Sequence, residues 1–237
     1  MNDIWTMIWK ETKDSLFQGG RSALIRPLLL IGILGIGFPW RFGLQWLALT
    51  PVVMVLFLYI PYITIISFVG DAIAGERERH TLETLLASRI SDRAILLGKI
   101  IVTASYAWGT ALIGLLLGLI VANLSKGQGS WEFYTHVDLL LEALALSLLT
   151  SLLGVSGGVL ISLRSATVRQ AQQMLIVATL VLVGGGFLAL KAVPAQAISS
   201  LSISQIWLIA MAVLAVLDAI LLGVSLVSFQ RSRLILS

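Results

Sequence analysis

The chain has 237 residues, 58% of them hydrophobic and only 12% charged, with a formal charge of +4 and no cysteine. Soluble domains carry about 25% charged residues, so the composition excludes an ordinary soluble globule. The absence of cysteine excludes disulfides and thiolate metal sites, and no Lys/Arg run reads as a nucleic-acid tail.

Residues 1–23 carry Asp3, Lys10, Glu11, Lys13, Asp14 and Arg21 before any long apolar run. A cleavable signal has a short basic start and an apolar segment close behind it, so none is expected here. Residues 4–17 read as an amphipathic helix, with Trp5, Trp9 and Leu16 near one face and Ile8 beside them. Indole rings at an apolar/polar boundary suit the headgroup region, and Gly19-Gly20 suits the end of such a helix.

Six apolar stretches follow, over about 23–40, 44–70, 95–122, 138–163, 172–190 and 206–229. Each is near the ~20 residues that a helix needs to cross a bilayer. Pro51 and Pro61 predict a tilt, kink or break in the second. Gly184-Gly185-Gly186 predicts a bend or break in the fifth, with a re-entrant arrangement over 186–204. Six spans put both termini on one side. With the N-terminus inside, 13 of the 16 Lys and Arg residues face the cytoplasm, leaving Arg41, Lys126 and Lys191 outside. The positive-inside rule favours this orientation.

The densest charge cluster lies between the second and third spans, over Asp71–Arg93. Leu82, Leu85 and Leu86 recur at i, i+3, i+4 on a helical stripe, surrounded by Glu76, Arg77, Glu78, Arg79 and Glu83. Ser91 or Asp92 suits the cap of the next span. A short amphipathic helix in such a loop lies on lipid, docks in a partner's groove, or merely orients its neighbouring spans. Mixed Glu and Arg argue against anionic lipid, which attracts a basic face.

The run Gly75-Glu-Arg-Glu-Arg-His-Thr-Leu-Glu-Thr-Leu-Leu86, followed by Ser91 to Gly98-Lys99, resembles the signature of ABC-2 type permeases. In that family a Gly-Glu-Lys/Arg-Glu-x-x-Thr-Leu-Glu-x-Leu-Leu run precedes a turn and a Gly-Lys pair. Two departures are visible: Arg89-Ile90 fills a region where relatives often have Pro, and His80 stands where a small residue, often Gly, is common. The resemblance covers about 25 residues.

The resemblance implies an all-α membrane protein forming one permease domain over 1–237. Residues 1–22 would be an interfacial helix, and 72–93 a cytoplasmic coupling segment. Glu76, Arg77, Glu78, Thr81, Leu82 and Glu83 would contact a separate ATP-binding subunit. It further implies two copies of that subunit, a second permease copy (a homodimer more than a heterodimer), and residence in the inner membrane among lipid. Reversing Glu76 and Glu83 to Lys should then weaken co-purification with the ATPase. ATP and Mg would sit on the partner, and this chain would hold no cofactor. A phosphate-binding loop needs Gly-x-x-x-x-Gly-Lys-Ser/Thr. Gly98-Lys99 has Arg93 in place of the first Gly and is followed by Ile100.

Within the spans, Asp218 stands near the middle of the sixth, where a charge costs about 2.5–3.5 kcal/mol. It reads as a translocation-path residue, a cation or proton site, or a hydrogen-bonded link between helices. Glu142, with Glu132 and Asp138, marks either an acidic exit region or a solvated rim. Gly114/Gly118 and Gly154/Gly158 have the small-xxx-small spacing of close helix contacts, within one subunit or between two. His80 and His136 lie far apart, so no metal cluster is expected.

The leading expectation is an ABC exporter permease for an amphipathic or hydrophobic cargo. The alternatives are a haem-exporter-type permease of cytochrome maturation and an ATP-independent scaffold or carrier. An intramembrane enzyme would need Ser/His, paired Asp or a His metal set in the spans. The sequence shows a lone mid-span acid.

Overall fold

In the computed structural model, residues 2–13, 25, 28–81, 87–126, 131–192 and 202–229 are described, and every regular element among them is helical. The first helix, α1, is Asn2–Lys13. A helical stretch over Leu28–Phe42 contains a π-helical turn at Ile33–Gly37 and continues into α2, Phe38–Phe42. Gly43 then breaks it with φ 56°, a conformation that penalises a Cβ, and α3, Leu44–Leu47, follows. The second apolar stretch is therefore interrupted before Pro51. Proline begins α4, Pro51–Gly70, at a position that needs no N–H donor, while Pro61 lies inside the helix.

A second π-helical turn, Asp71–Gly75, leads into the short α5, Glu76–Glu78. The remaining helices are α6 (Asp92–Lys126), α7 (Val137–Arg164), α8 (Val168–Ala192) and α9 (Ile203–Ser228). Ser91 starts α6 as anticipated, its hydroxyl accepting from Ala94 N at 3.4 Å.

Three helices among the described residues are long and apolar enough to cross a membrane: Asp92–Ser125, Val137–Arg164 and Ser204–Ser228. They coincide with the third, fourth and sixth expected spans. The 35 residues of α6 reach about 52 Å at 1.5 Å each. That exceeds the ~30 Å hydrocarbon layer, so part of α6 stands clear of the lipid tails.

The break expected at Gly184-Gly185-Gly186 is absent, because α8 runs through them to Ala192. Glycine weakens a helix by entropy. A continuous helix nevertheless satisfies every backbone group internally, and a break would leave groups to be paired elsewhere. The rest of the proposed re-entrant stretch, 193–201, lies outside the described residues, as do Gly19-Gly20 and 14–22 of the N-terminal segment.

The centre of the bundle is α7, which packs against α4, α6, α8 and α9. Two apolar clusters fill its two ends, one around Ile65, Ile95, Val155 and Phe229, the other around Trp46, Phe57, Leu115 and Leu146. Polar side chains link the helices between them. Thr64 and Thr110 hydroxyls lie 3.3 Å apart, Thr179 Oγ1 donates to Tyr62 Oη at 3.0 Å, and Trp108 Nε1 donates to Leu144 O at 3.2 Å. Such bonds stand in for a hydrophobic driving force that lipid does not supply between helices.

Glycines set some of the closest approaches. A Cβ on Gly154 would meet Ile65 Cδ1 at 2.9 Å, and one on Gly118 would collide with the Trp46 ring. Both small-residue positions therefore serve packing within this subunit.

Candidate functional site

The site is the corner formed by the Asp71–Gly75 turn, α5 and Arg79–Thr81. It is built first by backbone geometry. A π-helical turn adds a residue to the helical circuit and re-aims its N–H groups. Here Ile73 N and Ala74 N donate to one side-chain oxygen, Ser162 Oγ of α7, at 3.2 and 2.9 Å.

Next comes the charged triplet, in which each side chain takes a different long helix. Glu76 Oε1 accepts from Lys99 Nζ of α6 at 2.7 Å. Arg77 donates from Nη1 to Ser165 O at 2.8 Å and from Nη2 to Leu163 O at 3.4 Å, at the C-terminal end of α7. Glu78 Oε1 accepts from Val168 N, the first residue of α8, at 3.0 Å. The signs match the helix ends. A cation belongs where orphan carbonyls gather, and a carboxylate where orphan N–H groups gather.

The corner ends in a Schellman motif. Thr81 N donates to Glu76 O at 2.9 Å and His80 N to Arg77 O at 3.1 Å, with His80 at φ 55°. That left-handed position suits glycine, which explains why His80 looks out of place in the sequence. Thr81 Oγ1 adds a bond to Glu76 O at 3.3 Å. Glu78, Arg79, His80 and Thr81 face solvent.

Beneath the corner lies a buried ion cluster. Lys99 is only 3% exposed, and its ammonium also donates to Glu11 Oε1 of α1 at 2.8 Å. Lys10 Nζ reaches Glu76 Oε1 at 3.4 Å and Glu11 Oε1 at 3.7 Å. Burial works to raise the Glu76 pKa, but the Lys99 and Lys10 ammonium groups outweigh it and hold the carboxyl below its ordinary value of 4.5. Glu76 Oε2 is buried with no protein partner.

Of the six residues that the resemblance implies for coupling, Glu76, Arg77, Glu78 and Thr81 meet at this corner. Leu82 and Glu83 lie outside the described residues, together with Leu85 and Leu86. Glu76 points inward, so any surface it shapes is shaped through its neighbours. In the sequence Lys99 figures only as half of the Gly-Lys pair, and Glu11 and Met7 carry no role; the structure gives all three an ion-pair or packing contact. A lysine eight positions into a long apolar helix, beside a glycine, was the available signal.

On α1 the indole rings lie outside the packed face. Met7 is fully buried against α6, whereas Trp5 and Trp9 are 69% and 60% exposed. Lys13 Nζ stands 5.1 Å from the centre of the Trp9 ring.

The two intramembrane acids lie on one seam, between α7 and α9. These helices run parallel, since Glu142 Oε1 accepts from Ser204 Oγ at 2.8 Å near their starts and Ser225 Oγ donates to Ser156 O at 3.3 Å further along. Glu142 thus faces a neighbouring helix, with Oε2 buried and unpartnered, while Glu132 and Asp138 are exposed. Asp218 is 4% exposed, and neither of its oxygens has a protein partner. Fourteen residues separate it from Ser204, about 21 Å along the axis. No group of three or more His, Cys, Asp or Glu residues able to hold a metal occurs among the described residues.

A sequence profile of the ABC-2 family transporter proteins matches residues 45–236. That span takes in the corner, Lys99 and both intramembrane acids, and it bears out the resemblance read from residues 75–99. No curated protein matches the chain.

Proposed function

Because the chain belongs to the ABC-2 family transporter proteins, a family of multi-pass membrane transport subunits that generally work with an ATP-binding subunit, we propose that it is the permease of an ABC exporter. In this reading residues 1–237 form one permease domain in the inner membrane, crossing six times with both termini in the cytoplasm. It pairs with a second copy and with two ATP-binding subunits, which carry ATP and Mg. The helices at Leu28–Phe42, Pro51–Gly70 and Val168–Ala192 supply the remaining spans. The sparse charge of the spans favours an amphipathic or hydrophobic cargo, and the α7–α9 seam, with Glu142 and Asp218, is the candidate path.

The observation that carries the reading is the triplet Glu76-Arg77-Glu78, three consecutive side chains that hold α6, α7 and α8 respectively. A force applied to the exposed edge of this corner is delivered to three helices at once. That is what a coupling segment between a motor and a membrane domain requires. The exposed edge, Arg79, His80 and Thr81, together with Leu82 and Glu83 beyond it, is the docking surface.

The test is co-purification with the ATP-binding subunit. Glu76→Lys is a poor probe, because it would place a cation against Lys99 and damage the corner itself. Arg79→Glu combined with Glu83→Lys reverses charge at solvent-facing Arg79 and at a second residue of the same run, and leaves Glu76 and Lys99 in place. Loss of the ATP-binding subunit with normal membrane yield is expected. Retention of the subunit, with undiminished ATP hydrolysis, would remove the docking assignment.

A further inference from the structure

We propose that Lys99 is a positioning residue whose buried ammonium group ties α1 and the corner 71–81 to α6 as one rigid unit, so that the corner cannot move without carrying the N-terminal helix with it.

Three observations converge on this. Lys99 Nζ bonds carboxylates from two distant segments, Glu11 at 2.8 Å and Glu76 at 2.7 Å. Its burial makes separation from either costly, since a charge stripped of its partner inside the protein is not rescued by water. A second strand of the same link runs from Lys10 to Glu76 at 3.4 Å. The adjacent residue completes the joint, because a Cβ on Gly98 would lie 2.6 Å from Met7 Cγ and 2.8 Å from Met7 Cβ. Gly98 therefore lets α1 seat on bare backbone, and Lys99 fastens it there. The opposite face of α1 presents Trp5 and Trp9, so a displaced corner would move that indole pair. What the movement serves rests on the permease reading; the rigid unit itself does not.

The chain has no cysteine, so a single introduced thiol reports without background. The full-length chain in native membranes is labelled with a water-soluble maleimide at Met7→Cys, Ala74→Cys or Ala111→Cys, all three positions being buried. Lys99→Met is expected to raise labelling at Met7→Cys and Ala74→Cys together, by at least about tenfold, and to leave Ala111→Cys slow. Lys99→Arg is expected to stay near the parent rate. Glu11→Gln, which leaves Lys99 on Glu76, is expected to free Met7→Cys without freeing Ala74→Cys. The proposal is overturned if Lys99→Met leaves both sites slow, frees one alone, or exposes Ala111→Cys as well, or if Glu11→Gln frees both. No ATP-binding subunit enters these measurements, so they fail or succeed separately from the co-purification test.

Discussion

The ammonium group of Lys99 lies 2.7 Å from Glu76 Oε1, joining residues 23 positions apart in an enclosed part of the structure. Glu76 sits in the first turn after the π-helical turn and Lys99 in the first third of α6. Their contact turns the loop between α4 and α6 into a braced corner. Arg77 and Glu78 then extend the brace to α7 and α8.

Acid should weaken this brace. Burial favours the neutral Glu76 carboxyl, but Lys99 and Lys10 together outweigh it and keep its pKa below 4.5. For a carboxyl depressed in the folded state, the stabilisation is complete above the unfolded value and disappears as pH falls through the folded one. The thermal midpoint of the purified chain should therefore lose this contribution only below about pH 4.5. In Glu76→Gln the acid-side fall should be shallower; an identical profile would show that the pair does not contribute.

Arg77 serves carbonyl groups at the part-buried C-terminal end of α7, with bonds of 2.8 Å to Ser165 O and 3.4 Å to Leu163 O. Arg77→Ala should cost about 1–2 kcal/mol, in the range for charge-assisted bonds and helix-end cations. Arg77→Lys should recover only part of this, because an ammonium cannot reproduce the guanidinium fork. Denaturant midpoints in detergent measure both, and full recovery by Lys would reduce the role to charge alone.

His80 holds φ 55° at the left-handed position of the Schellman motif. An L side chain there costs about 1–2 kcal/mol. His80→Gly should raise the thermal midpoint, by about 1 kcal/mol of stability after the entropy lost to glycine. His80→Val should lower it. A lower midpoint for the glycine variant would mean that the imidazole makes a stabilising contact outweighing the strain.

Asp218 is buried with neither oxygen bonded to protein. A mid-span acid costs about 2.5–3.5 kcal/mol and is by default a candidate for the translocation path. Asp218→Leu should raise thermal stability by about 2 kcal/mol and still fail to complement a strain lacking the chain. Asp218→Asn should also fail while assembling normally. Full complementation by Asn would leave the carboxyl no transport role.

Much of the molecule was legible from its residues in order. Hydropathy located the three long spans to within a few residues, because in lipid a sustained apolar run has one stable conformation, the helix. The Gly-Glu-Arg-Glu run marked the corner, and an out-of-place His80 pointed to a position built for glycine. What the residues in order did not reveal was which face meets which neighbour. Helices such as α4 and α6 are apolar all round, so periodicity does not distinguish a packed side from a lipid-facing one. On α1 the sequence marks Trp5 and Trp9 for an apolar/polar boundary, and only the fold shows that the packed residue is Met7. In the sequence Lys99 is half of a Gly-Lys pair and Glu76 a contact residue for a partner, with nothing to join the two. Only the approach of α1, α5 and α6 made them partners, because a buried ion pair depends on three-dimensional distance and on the exclusion of water, and neither is recorded in local sequence.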